Sequence, residues 1–187
     1  MKRILTMDAH DYPADLKEIR RFAARAVIFI GDRLLLTEND FGEVKLPGGG
    51  IEPGEDDVQA LILEVREETC CAVIPASIYP FGEIEEKRLS QREDAVWHQT
   101  SRVYFCAVES AHFGECSYSK EEKRLGFRPV TYTLEEAIRK NEAMLDREGK
   151  HTYNQREYQT LLLIREQLEK TERESGHGNQ GVSDRRL

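Results

Sequence analysis

Apolar residues recur along this chain with two periods, one near two and one near 3.6. Early on, AARAVIFIGDRLLLTE carries β-type residues on either side of Gly31-Asp32. This predicts two strands over Arg21 to Thr37 joined by a tight turn. Val44 to Leu46 reads as a short strand ended by Pro47. Then the period changes. Val58, Leu61, Ile62 and Val65 fall at i, i+3, i+4 and i+7, the buried stripe of a helix reaching about Cys70. Strand-like pieces return between Ala72 and Leu89, broken by Pro75 and Pro80. Thr100 to Glu109 is the clearest later strand, and Phe127 to Tyr132 another. Ser90 to Trp97 and Ala111 to Arg124 read as polar loops. Thr133-Leu-Glu-Glu136 is a capping box opening a helix to about Leu145, with Leu134, Ala137 and Ile138 inward. A last helix spans about Tyr153 to Thr171, its stripe being Tyr158, Leu161, Leu162, Ile164 and Leu168. Residues 1–19 read as an irregular lead-in or short edge element. Residues 20–174 form one domain, and 175–187 a polar tail expected to be disordered. Strands on both sides of a central helix, followed by helices, predict an α/β fold with a mixed sheet.

Composition narrows the partners. The chain has 187 residues, 39% hydrophobic, with net charge −8. That balance argues against a nucleic-acid polymer or a membrane surface as partner, since phosphate-rich surfaces need a basic footprint. It leaves room for a small phosphorylated ligand whose charge a metal offsets. The N-terminus has no sustained apolar core of the signal-peptide kind, and no stretch approaches the roughly 20 apolar residues of a membrane span. The four cysteines, Cys70, Cys71, Cys106 and Cys116, form no zinc pattern. Reduced thiols in a cytoplasm are the expectation, with Cys106 as a core residue.

The most informative stretch is Gly48 to Cys71, GGGIEPGEDDVQALILEVREETCC. A glycine turn leads into a helix carrying Glu64, Glu67 and Glu68. At about 100° per residue, Glu68 lies about +40° and Glu67 about −60° from Glu64. One side of the helix is therefore core and another a dense negative patch. Such hard oxygen ligands suit Mg²⁺ or Mn²⁺. Ala60 falls between Glu64 and Glu67 on the wheel, leaving that side without bulk. The glycines permit close backbone approach to phosphate or metal.

This stretch resembles the Nudix box, G-x5-E-x7-R-E-U-x-E-E-x-G-U with U a bulky apolar residue. Gly49, Glu55, Glu64, Val65, Glu67, Glu68 and Cys71 fill its positions. The resemblance covers roughly residues 20–145. It implies an α/β/α sandwich with a mixed β-sheet and metal-dependent pyrophosphohydrolase activity with Mg²⁺ (or Mn²⁺) as cofactor. Carried over residue by residue, it makes Glu64 and Glu68 the principal metal ligands and Glu67 a further ligand or base. The Gly49 carbonyl joins them. Glu122 or Glu121 becomes a further acid from the later loop, with Glu67, Glu68 and Glu122 as the catalytic set. The partner it implies is a small-molecule diphosphate substrate, and a homodimer is plausible.

Two box positions depart. Leu63 stands where the family has arginine, so the charge that helps hold the glutamates there is missing. Cys70 stands where a glycine ends the helix with positive φ. Asp57 either borders the cluster or complements the helix N-terminus. His98, Phe41, Tyr79, Phe81 and Tyr104 are candidates for touching substrate, packing being the competing role. Leu63 also keeps open a binding or sensor module that has lost efficient catalysis. A third reading keeps the fold for isomerisation or for a non-nucleotide diphosphate.

Overall fold

A computed structural model describes residues 1–109, 116–146 and 153–177. Its first five strands are β1 (Arg3–Asp8), β2 (Glu18–Val27), β3 (Phe29–Ile30), β4 (Arg33–Glu38) and β5 (Val44–Lys45). The remaining strands are β6 (Gly50–Ile51), β7 (Tyr79–Leu89), β8 (Val96–Phe105) and β9 (Arg128–Thr133). The helices are α1 (Asp57–Thr69), α2 (Lys120–Leu125), α3 (Leu134–Met144) and α4 (Tyr153–His177).

One sheet has the order β1-β7-β8-β2-β6. It is mixed: β2 runs parallel to β8 and β1 parallel to β7, while β7–β8 and β2–β6 are antiparallel. A smaller antiparallel sheet centres on β4, which pairs β3, β5 and β9. Alternation in β2 feeds two cores. Ala24, Ala26 and Ile28 pack with Leu61 and Val65 of α1. Val27 packs with Ala137 and Ile138 of α3 and with Leu161 and Ile164 of α4. Helices thus cover opposite faces of a mixed sheet, the α/β/α arrangement.

Several boundaries differ from the pattern reading, each for a local reason. Of the two readings of residues 1–19, the edge element holds for residues 3–8, which form a strand along β7, and β2 already begins at Glu18. Pro80 does not end the strand before it: β7 absorbs it near its start, with a register shift between Pro80 and Gly82. Pro75 opens a 3₁₀ turn instead. Val96 and Trp97, read as loop, begin β8. Within Ala111 to Arg124, read as a loop, α2 begins; residues 111–115 of that segment lie outside the described ones. α4 continues to His177, so 175–177 are helical, and the rest of the expected disordered tail lies outside the described residues. No helix among the described residues is long and apolar enough to cross a membrane.

Candidate functional site

α1 begins because the Asp56 carboxylate accepts from the Val58 and Gln59 amides, satisfying two of the helix's unpaired donors. Leu61 and Val65 are fully buried, and Val58 and Ile62 pack against the same cluster. Ala60 is also buried. The helix ends at Cys70 in the left-handed region, φ 57°, donating its amide to the Arg66 carbonyl. The turn that glycine makes in the family motif is therefore kept at the cost of side-chain strain. Cys70→Gly should raise stability by about 0.5 kcal/mol, because the relieved strain slightly exceeds glycine's extra unfolded-state entropy. Urea denaturation under reducing conditions checks this; a loss of stability would show that contacts of the thiol outweigh the strain.

The glycine turn sits against this helix. A Cβ at Gly48, whose φ is +136°, would collide with the Ala24 carbonyl, and a Cβ at Gly49 would occupy the place of the Glu64 carboxylate. Glu64 thus lies pressed to the Gly49 backbone. Glu68 is buried and accepts from Lys45 Nζ at 2.8 Å and from the Gly48 amide at 2.8 Å. Lys45 Nζ also stands 3.6 Å from Glu122. Glu67 is part-buried, and among the described residues its carboxylate has no hydrogen bond or ion pair. Glu64, Glu68 and Glu122 therefore face one region.

Charge in that region is unevenly compensated. Burial, then the Glu68 charge, pushes the Glu64 carboxyl up to about 7, against a downward pull from Arg25. Burial also raises Glu68, although Lys45, Arg25 and the Gly48 amide oppose it. For Glu122 burial pushes upward, but Lys45 and the Ser119 cap bonds outweigh it, and the net shift is downward.

Two cations here escaped the sequence reading. Arg25 of β2 donates to the Gly48 carbonyl and, at 3.4 Å, to the Leu46 carbonyl, pinning the loop that bears the glycines. Lys45 is the cation on Glu68. Leu63, in the family's arginine position, is 50% exposed, so the holding charge comes from two strands rather than from the helix. The available signal was a single cation inside an otherwise apolar run, AARAV and VKL.

Other candidates fall elsewhere. Asp57 receives Tyr104 Oη at 2.7 Å and Arg102 Nη1 at 2.9 Å, a structural role away from the glutamates. Glu121 pairs with the exposed Arg124, leaving Glu122 as the acid near Lys45. His98 is buried between Glu18 and Glu85. Tyr79 stacks on Phe105 and Phe81 meets the same ring edge-on, while Phe41 is exposed. Glu55 accepts from the Glu52 amide, closing the loop before α1.

The donor chemistry fits a hard divalent cation in kind. Each Glu68 oxygen accepts one hydrogen bond and keeps a second lone pair, as does the Gly49 carbonyl, which accepts from Ala24. Glu64 and Glu67 add oxygens. Among the described residues no group of three or more side chains is yet drawn together at ligand distance. Glu64 and Glu68 both have raised pKa values, so a cation between them would relieve both.

Comparison with known proteins agrees with this fold. Among solved structures, a NUDIX hydrolase from Nitrosomonas europaea is 23% identical, covering 70% of this chain and 82% of its own, with TM-score 0.51. A structure described as an ADP compounds hydrolase is 19% identical, covering 81% and 74%, with TM-score 0.52. A MutT protein from Bacillus halodurans is 16% identical, covering 64% and 72%, with TM-score 0.50. At these identities the likeness concerns the fold. No curated protein matches the sequence. The NUDIX domain family matches residues 19–155, most of the chain. A family match of that extent, over a fold that sets the box helix against its glycine loop, means that the chain belongs to the Nudix hydrolase family, hydrolases acting on acid anhydrides.

Proposed function

We propose that this protein hydrolyses the diphosphate linkage of a small nucleoside-diphosphate-linked compound, with Mg²⁺ or Mn²⁺ held by Glu64, Glu67, Glu68 and the Gly49 carbonyl. The observation that carries this reading is Glu64: a carboxylate set against the Gly49 backbone, facing other carboxylates and raised to about 7. A bound divalent cation supplies charge neutralisation on phosphate oxygens and lowers the pKa of water. Glu68, fixed by Lys45 and the Gly48 amide, orients the cluster. Glu67, whose carboxylate has no hydrogen bond or ion pair among the described residues, is the residue we assign to take the proton of the attacking water. Glu122 lies where it can hold or pass a proton at the rim. Water attacks one phosphorus, and the other phosphoryl group leaves with the bridging oxygen.

A panel of nucleoside triphosphates, ADP-ribose, nucleotide sugars and dinucleotides tests this, with a phosphatase added to reveal monoester products and Glu68→Gln as control. Metal-dependent phosphate release that the control loses supports the reading. A flat panel with measurable ligand binding would favour the sensor module instead, with Leu63→Arg as the variant to restore turnover.

A pH dependence follows. The proton on Glu64 competes with metal below about pH 7. Apparent metal affinity should therefore rise about 10-fold from pH 6 to pH 8 and flatten above, as isothermal titration would show. The same raised pKa has the opposite sign for the metal-free fold. The native state holds this proton more tightly than the unfolded chain, so the Glu64 contribution to stability falls as pH rises from about 4.5 to about 7.

A further inference from the structure

The departure at Cys70 has a counterpart in space. Its Sγ lies 2.8 Å from Cys116 Sγ, and all four cysteines are thiols. The separation is within about 0.8 Å of the roughly 2.05 Å of a covalent S–S bond. The contact is one of three between residues 116–118 and the C-terminal end of α1. The Ser117 amide donates to the Glu67 carbonyl at 2.8 Å, and Tyr118 Oη to the Glu68 carbonyl at 2.5 Å. Residues 116–118 thus run along the last turn of α1. The next residue, Ser119, caps α2 through a reciprocal bond with Glu122, which places the Glu122 carboxylate 3.6 Å from Lys45. Cys70 can meet Cys116 because the helix turns left-handed at that residue.

We propose that Cys70 and Cys116 are an oxidative modification site: a thiol pair that takes a reversible disulfide, stapling the segment that carries Glu122 to the end of the helix that carries Glu64, Glu67 and Glu68. The oxidant is a peroxide or a low-molecular-weight disulfide. With hydrogen peroxide, one thiolate attacks an oxygen, forming a sulfenic acid as hydroxide leaves and takes a proton. The second sulfur then displaces the sulfenic oxygen as water. The pair loses two electrons and two protons, and peroxide becomes two waters. With oxidised glutathione, thiolate attack gives a mixed disulfide and one glutathione, and the second cysteine releases another. In a reducing compartment this bond is transient, formed under oxidant and removed by thiol reductants. Cys71 and Cys106 are buried in the α1-side core and take no part.

The test uses the full chain in glutathione buffers of increasing oxidation, followed by alkylation in denaturant and peptide mapping. The expected product is a Cys70–Cys116 cross-linked peptide two hydrogens lighter, with Cys71 and Cys106 alkylated. Reactive thiols fall from four to two. The thermal midpoint of the oxidised protein should rise by about 10 °C, because the bond closes a long loop, and return on reduction. Cys116→Ser should abolish both changes and leave Cys70 as a glutathione adduct. Retention of four reactive thiols, stable glutathione adducts on the unmutated protein, or cross-links through Cys71 or Cys106 would each overturn the proposal. These readouts do not depend on turnover, so they stand apart from the hydrolase reading.

Discussion

Replacing Glu64 by Gln should lower metal-dependent turnover about 10³-fold, a loss near 4 kcal/mol of transition-state stabilisation. The amide keeps the shape against Gly49 but removes the charge that attracts a cation into the cluster. Because the Glu64 carboxyl is raised to about 7, the same change removes one charge that the metal-free site holds at a cost. The variant should therefore fold at least as stably as the parent in chelator while losing its activity. It should also lose the 10-fold pH dependence of metal affinity expected between pH 6 and 8. Steady-state kinetics on the substrate found in the panel, beside thermal unfolding in chelator, measures both. A variant that retains turnover within a few-fold would remove Glu64 from the catalytic account.

The second large effect lies beneath the site. Arg156 of α4 is 5% exposed and bridges Glu86 at 2.7 Å and Glu157 at 3.2 Å. Glu157 in turn accepts from the Leu46 amide at 3.0 Å, just before the glycine turn. Burial works against the guanidinium charge, and the two carboxylates more than restore it. Arg156→Met would leave Glu157 buried without its ion-pair partner and Glu86 with Arg88 alone, at 3.2 Å. The expected cost is about 3–5 kcal/mol, or roughly 10 °C in thermal midpoint. Since Glu157 also holds Leu46, catalytic efficiency should fall in the fraction that remains folded. A loss under 1 kcal/mol would mean that water or neighbouring groups replace the cation readily.

The legible parts of this chain are those where burial and period coincide. α1 is readable because Leu61 and Val65 are in the apolar core while Glu64 and Glu67 are not, and because the box spacing is long; Glu68 is buried through its bonds to Lys45 and Gly48 instead. The capping box at Thr133 and Glu136 is present with both reciprocal bonds. α2 was missed because KEEKRL has no apolar stripe; its signal was the cap pair Ser119 and Glu122, three residues apart. The inward face of α4 shows the limit of a hydrophobic pattern. Leu161 and Ile164 are buried as expected, but so are Asn154, Arg156, Glu157 and Thr160. Charges buried by pairing leave no periodic trace, and neither did Lys45 and Arg25, whose partners are distant in sequence. Cys70 was legible as a departure, whereas its neighbour Cys116 became visible only in space.

Manganese binding is the measurement that reaches the central claim most directly. The parent protein and Glu64→Gln would be titrated with Mn²⁺ at pH 8, reading bound metal by electron paramagnetic resonance. The account predicts saturable binding by the parent and a loss of at least 10-fold in affinity in the variant, with both proteins folded. Equal binding by the two proteins, or no binding by the parent, would contradict a metal centre built on these carboxylates.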